Sequence, residues 1–238
     1  MKISGVSFPD SFAEALSHIA PQGNYSDLGL AYLYALTLEG LQAGVEGDVV
    51  ECGVQTGRSA TILAAALKHS DRKLWLYDVW GQSPAPASKK DGDVFGKFGA
   101  GAIGRGEIEA VRASVESVGF PSDRLIMRQG LFQDTFQAPK PEKVLLLHVD
   151  ADWYDSCLPA FETFYPAVSH MGVIWTHDFG YFDGNRHAFY DFVKKHDLAP
   201  LLERVGAMEA FWIKGIEHHR GPRAIEMEQL GLYQPRCK

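Results

Sequence analysis

From residue 47 onward, short runs that are apolar on both faces alternate with stretches whose apolar positions recur every three or four residues. The β-type runs are GDVVECG (47–53), KLWLYDVW (73–80), DRLIMRQ (123–129), EKVLLLHVD (142–150) and GVIWTHD (172–178). Between them, SATILAAALKH (59–69), GEIEAVRASVESV (106–118), YDSCLPAFETFYPAV (154–168) and RHAFYDFVKKH (186–196) carry helical periodicity. PLLERV (200–205) and EAFWIK (209–214), joined by a short segment starting at Gly206, predict a closing hairpin. Strands of this kind need cover on both faces. The expected fold is therefore α/β, a doubly wound, mostly parallel, seven-stranded sheet of Rossmann-like form.

Two amphipathic segments precede this unit. Residues 10–20 place Phe12, Ala15, Leu16 and Ile19 on one face, and residues 26–44 carry Leu28, Leu30, Leu33, Leu36, Leu38 and Leu41. Both predict helices. The second is apolar around much of its circumference, which suits burial against the sheet or against another subunit, and a homo-oligomer is expected. The chain divides into an amino-terminal helical extension (1–46), a main domain (47–214) and a tail (215–238) holding His218 and His219. The segment 80–105, WGQSPAPASKKDGDVFGKFGAGAIGR, is long for a strand-to-helix connection and reads either as a functional lid or mobile segment or as simple surface disorder.

Composition narrows the function. With 238 residues, 46% hydrophobic and 22% charged, the chain suits a soluble globular protein. No run of eighteen apolar residues exists and the first residues lack the build of a signal peptide, so no membrane partner and a cytoplasmic location are expected. A net charge of -7, with acids and bases interspersed, weighs against nucleic acid and favours a small-molecule partner. Cys52, Cys157 and Cys237 lie far apart and read as buried thiols.

In open α/β sheets, ligands bind where carboxyl ends of strands meet helix amino termini. Here the first main-domain strand runs into Glu51-Cys52-Gly53-Val54-Gln55-Thr56-Gly57-Arg58-Ser59. Gly53 and Gly57 permit a tight turn and a close backbone approach. The phosphate-cradling GxGxxG pattern is absent, which disfavours a dinucleotide such as NAD and suits S-adenosylmethionine (SAM), a ligand without phosphate. Glu51, just before the turn, is placed to anchor the amino-acid end of such a ligand, or to cap backbone groups, with Ser59 following. Asp78 ends the next strand, where a carboxylate can accept both ribose hydroxyls. Val79 or Trp80, and the stretch Gly130-Leu131-Phe132 after the third strand, are candidate adenine walls.

A second cluster lies further along. His148-Val149-Asp150-Ala151-Asp152 ends the fourth strand and His177-Asp178 the fifth; as sheet neighbours their ends would lie ~4.8 Å apart. Asp150 and Asp178 are then placed to share a hard divalent cation such as Mg²⁺. Such an ion lowers the pKa of a hydroxyl and fixes its position. Asp150, Asp152 and His177 are candidate bases, and Asp152 is equally a candidate cap for the helix beginning near Tyr154.

GDVVECGVQTGRSA (47–60), LLLHVDADWYDS (145–156), GVIWTHDFG (172–180) and FWIK (211–214) together resemble the macrocin-type O-methyltransferases, which methylate sugar hydroxyls of macrolide antibiotics. The resemblance spans about residues 26–214. It implies SAM as methyl donor, Mg²⁺ or another divalent cation, a small hydroxylated acceptor, and oligomerisation through amino-terminal helices. It further implies that Glu51, Gly53 and Asp78 bind SAM and that Asp150 and Asp178 hold the metal. Two departures stand out: the family's usual pair of aspartates at the fifth strand end begins here with His177, and DVWGQSPAP replaces its usual serine- and glutamate-containing turn. His177 is then a ligand or a base. The alternatives are a SAM-binding member without catalysis and an NAD-dependent oxidoreductase.

Overall fold

The computed structural model describes residues 2–3, 6–7, 9–19, 26–94, 96–102 and 106–216. A two-stranded antiparallel ribbon, β1 (Lys2–Ile3) and β2 (Val6–Ser7), precedes the helices α1 (Asp10–Ser17) and α2 (Asp27–Gln42). The ribbon has no counterpart in the sequence pattern, being too short to show alternation. Ser26 starts α2 by accepting the Gly29 N–H on its hydroxyl at 3.0 Å, satisfying one of the amides a helix start leaves open.

The main domain follows as β3 (Asp48–Cys52), α3 (Arg58–Leu67), β4 (Leu74–Asp78), α4 (Ile108–Ser117), β5 (Leu125–Gln129), α5 (Phe132–Thr135), β6 (Val144–Val149), α6 (Tyr154–Phe164), β7 (Val168–Thr176), α7 (Asp183–Lys195), β8 (Glu203–Val205) and β9 (Glu209–Ile213). The strands form one sheet in the order β5-β4-β3-β6-β7-β9-β8. Five are parallel; β9 runs antiparallel to β7 and to β8. The expected architecture is thus present, with the reversal of order between β3 and β6 that places a ligand crevice at their carboxyl ends.

Strand alternation sorts the interior into two layers. Val49, Leu146, Val173, Trp175 and Phe211 pack with Leu30, Leu33, Leu36 and Leu63 of α2 and α3. Val50, Cys52, Leu147, Val149, Ile174 and Trp212 face Phe161, Phe164, Phe189 and Phe192 of α6 and α7. The apolar circumference of α2 is therefore spent within the chain, and the amino-terminal helices share one core with the main domain. Among the described residues no helix is long and apolar enough to cross a membrane.

Several boundaries differ from the sequence pattern, among them the start of β8 at Glu203 rather than 200. Helix α6 ends at Phe164, because Pro166 enters a 3-10 turn (Tyr165–Ala167), and β7 begins at Val168, earlier than the expected 172. Helix α7 starts at Asp183 rather than 186. Within 80–105, Lys89–Val94 forms a short 3-10 segment kinked at Gly92. His218, His219 and Cys237 lie outside the described residues.

Candidate active site

Four residues with left-handed backbone, Gln55 (φ 51), Trp80 (φ 38), Asp152 (φ 57) and Asp178 (φ 44), follow the carboxyl ends of β3, β4, β6 and β7. Gln55, Asp152 and Asp178 line one cleft, of about 480 Å³, and Trp80 follows Val79, which lines it too. Strained backbone concentrated at one sheet edge is characteristic of a functional site.

Gly53, Asp78, Val79, Leu131, Phe132, Asp150, His177 and Asp178 all line this cleft; Glu51, Gly57, Ser59 and Gly130 do not. Gly53 holds φ at +89°, and a side chain there would stand 1.8 Å from the backbone oxygen of Asp150. Its close approach is to the chain's own neighbouring strand end, so the glycine joins the two halves of the cleft. Asp78 braces the same turn: Oδ2 accepts the Val54 and Gln55 amides at 2.6 and 2.9 Å, and Oδ1 accepts that of Trp80 at 2.7 Å.

Glu51 lies beneath the turn, fully buried. Ser59 Oγ donates to its Oε1, and His148, its cross-strand partner, places Nδ1 3.2 Å from the same oxygen. Its Oε2 has no hydrogen-bond partner. Burial raises the Glu51 carboxyl above its ordinary value, with His148 and Ser59 pulling the other way.

On the opposite wall, ligand atoms of Asp150, His177 and Asp178 lie within 4.8 Å of one another. His177 Nδ1 is 3.1 Å from Asp150 Oδ1 and 3.3 Å from Asp178 Oδ1. Burial disfavours the imidazolium, but Asp150 and Asp178 outweigh it and push the pKa of His177 up to about 11. Asp152 does not cap α6. Its carboxyl hydrogen-bonds with Asp178 and is raised well above the usual range by burial first, then by Asp150 and Asp178. The cap comes from Asp91, whose Oδ1 accepts the Tyr154 N–H at 2.8 Å.

Two functional residues escaped the sequence reading. Asp91 fastens the long 80–102 segment to α6, assisted by a Trp153 Nε1–H bond to the Pro84 carbonyl at 3.0 Å and by Lys90, which bonds Tyr154 and pairs with Asp191. Ser83, Pro84, Ala85 and Ala87 of that segment form cleft wall. Glu209, at the start of β9, is buried with Oε1 3.9 Å from His177 Nε2.

Residues 21–214 match the family model of the macrocin O-methyltransferases (TylF). The chain belongs to this family. Like its members it is a SAM-dependent O-methyltransferase. Among similar proteins, the 8-demethyl-8-(2,3-dimethoxy-alpha-L-rhamnosyl)-tetracenomycin-C 4'-O-methyltransferase of Streptomyces olivaceus is 27% identical over 180 residues, covering 72% of this chain and 67% of the relative. The mycinamicin III 3''-O-methyltransferase of Micromonospora griseorubida is 22% identical over 179 residues, covering 72% and 70%. The solved structure of the O-methyltransferase NovP superposes with a TM-score of 0.73 at 20% identity, covering 86% of this chain and 88% of NovP, and shows the same fold.

Proposed function

We propose that this O-methyltransferase acts on a hydroxyl of a sugar or related small natural-product acceptor, with a divalent cation held by Asp150, His177 and Asp178. The observation that carries this reading is the convergence of those three groups within 4.8 Å on the wall of the cleft that Gly53 and Asp78 also line. The names of both relatives support a hydroxylated small-molecule acceptor, and that of the Streptomyces olivaceus enzyme describes a rhamnosyl-bearing one.

The donor set fits a cation. Asp150 and Asp178 offer carboxylate oxygens within 4.8 Å of the His177 ring, while burial raises the Asp152 and Glu209 carboxyls above their ordinary values. Two carboxylates and an imidazole suit Mn²⁺ or a softer divalent ion as readily as Mg²⁺. Bound there, the ion would lower the pKa of the acceptor hydroxyl.

The chain's own residues do the rest. Asp78, at the end of β4, is placed for a ribose hydroxyl, its Oδ1 keeping one acceptor site beyond the three amides the carboxylate accepts. Val79, Leu131 and Phe132 offer apolar walls for adenine. Gly53 and, from behind the turn, Glu51, Gly57 and Ser59 fix the backbone against which the amino-acid end of SAM would lie, and Gly130, whose N–H bonds the Asp78 carbonyl, leads β5 into Leu131 and Phe132. Asp150, whose side chain is 16% exposed against 6% for Asp178 and 2% for His177, lines the cleft and is placed to take the hydroxyl proton. Holding methyl donor and oxygen in line supplies much of the acceleration.

The test is methyl transfer from SAM to a panel of rhamnosylated acceptors, with and without chelator. Turnover that chelation abolishes and a divalent ion restores is expected. Hydroxyl methylation that continues in chelator would overturn the metal assignment and leave His177, protonated between Asp150 and Asp178, as the site's resident positive charge.

A further inference from the structure

Glu209 is buried in a setting shaped to hold it. A side chain on Gly29 of α2 would stand 2.4 Å from Glu209 Oε1, so the absence of one leaves the carboxylate its space. Ser26 Oγ donates to the same oxygen at 3.4 Å. That oxygen faces His177 Nε2 at 3.9 Å, while the other ring nitrogen, Nδ1, faces Asp150 and Asp178. The imidazole thus stands between a metal-binding side and a single buried carboxylate.

We infer that Glu209 is a positioning residue for His177, taking the Nε2–H so that the Nδ1 lone pair is directed at the ion shared with Asp150 and Asp178. This rests on the metal reading above and adds a residue to it. A histidine that ligates a metal through one nitrogen is oriented by what its other nitrogen donates to, and carboxylates are the strongest such partners. The present 3.9 Å is an ion-pair distance rather than a hydrogen bond. Terminal carboxylate torsions are broad, so Glu209 has the freedom to shorten it.

The arrangement answers a chemical need. Nδ1 is the ring nitrogen that faces both aspartates, and it can ligate only with its lone pair free. A carboxylate on the far side stabilises the tautomer with its proton on Nε2. Because β9 pairs with β7 in antiparallel register, Thr176 opposite Ala210, Glu209 is carried next to His177 without entering the cleft.

The experiment is calorimetric titration of the full-length protein with Mn²⁺, comparing wild type with Glu209→Ala, Glu209→Gln and Gly29→Ala. Loss of an outer partner of this kind weakens metal binding by roughly 10–100-fold. Glu209→Ala is expected to fall in that range, and Gly29→Ala, which crowds the carboxylate from a helix that bears no ligand, to weaken binding in the same direction. Glu209→Gln keeps a carbonyl acceptor for Nε2–H and should restore most of the affinity, a rescue that a purely structural role would not give. Wild-type binding that none of the three alters overturns the positioning role alone. Glutamine as weak as alanine overturns it in favour of bulk charge. A wild-type protein that binds no Mn²⁺ overturns the metal reading and this inference with it.

Discussion

Asp91 Oδ1 accepts the backbone N–H of Tyr154 at 2.8 Å, so a residue of the 80–102 segment caps the helix that forms the far wall of the cleft. A side chain on Gly184 would come within 2.0 Å of that same oxygen, which shows how closely the segment is docked. Losing a helix cap costs about 0.5–2 kcal/mol. Asp91→Ala is expected to lower stability by that amount in urea titration and to raise KM for the acceptor more than it lowers kcat. Asp91→Asn, which can still cap, should sit close to wild type on both measures.

Gly53→Ala tests the junction of the two halves of the cleft. The left-handed backbone alone costs roughly 1–2 kcal/mol with a side chain present. The collision with the Asp150 carbonyl adds to this and must spread β3 from β6. S-adenosylhomocysteine binding by calorimetry is expected to fall at least tenfold, together with a lower melting temperature. An unchanged affinity would mean that the turn has room the structure does not show.

Metal and proton compete for His177 Nδ1. A ligating nitrogen must be deprotonated, so binding of Mn²⁺ should release roughly one proton at pH 7.5. Repeating the titration in buffers of different ionisation enthalpy measures this number directly. His177→Gln should bring it close to zero while leaving weakened binding to Asp150 and Asp178.

In chelator the same residue sets a pH dependence of stability. His177 has its pKa raised from 6.5 to about 11, so its charged form favours the folded state. The contribution is fully present below the unfolded value of 6.5 and is lost as pH rises through about 11. The stability advantage of wild type over His177→Gln, measured by urea unfolding in chelator, should therefore shrink steadily between pH 7 and pH 11. A gap that widens with pH would contradict the ring's placement between Asp150 and Asp178.

The central parallel strands were legible because they are short apolar runs buried on both faces, as β6 shows with every residue from Val144 to Val149 buried, whereas the edge strand β5 buries only Leu125 fully. Asp150 and Asp178 were legible for a related reason: consecutive parallel strands that neighbour one another bring their carboxyl ends together, whatever lies between. Glu209 was not. Its position follows from an antiparallel pairing that local pattern does not specify, and at the start of an apolar strand it resembles an ordinary edge acid. Asp91 was hidden similarly, since it caps a helix 63 residues away, while cap signatures are sought beside the helix itself. Asp152, the local candidate, is drawn instead toward Asp178.

The reversed strand has one more consequence. A parallel strand delivers only its last residues to the rim of the sheet, and each additional one needs a whole helix to bring the chain back. By running the other way, β9 delivers its first residue there after nothing longer than the turn from β8. The hairpin is thus a short handle on the site. Substitutions in residues 203–209 can retune the surroundings of His177 while the β3 and β4 half, which would grip the methyl donor, stays as it is.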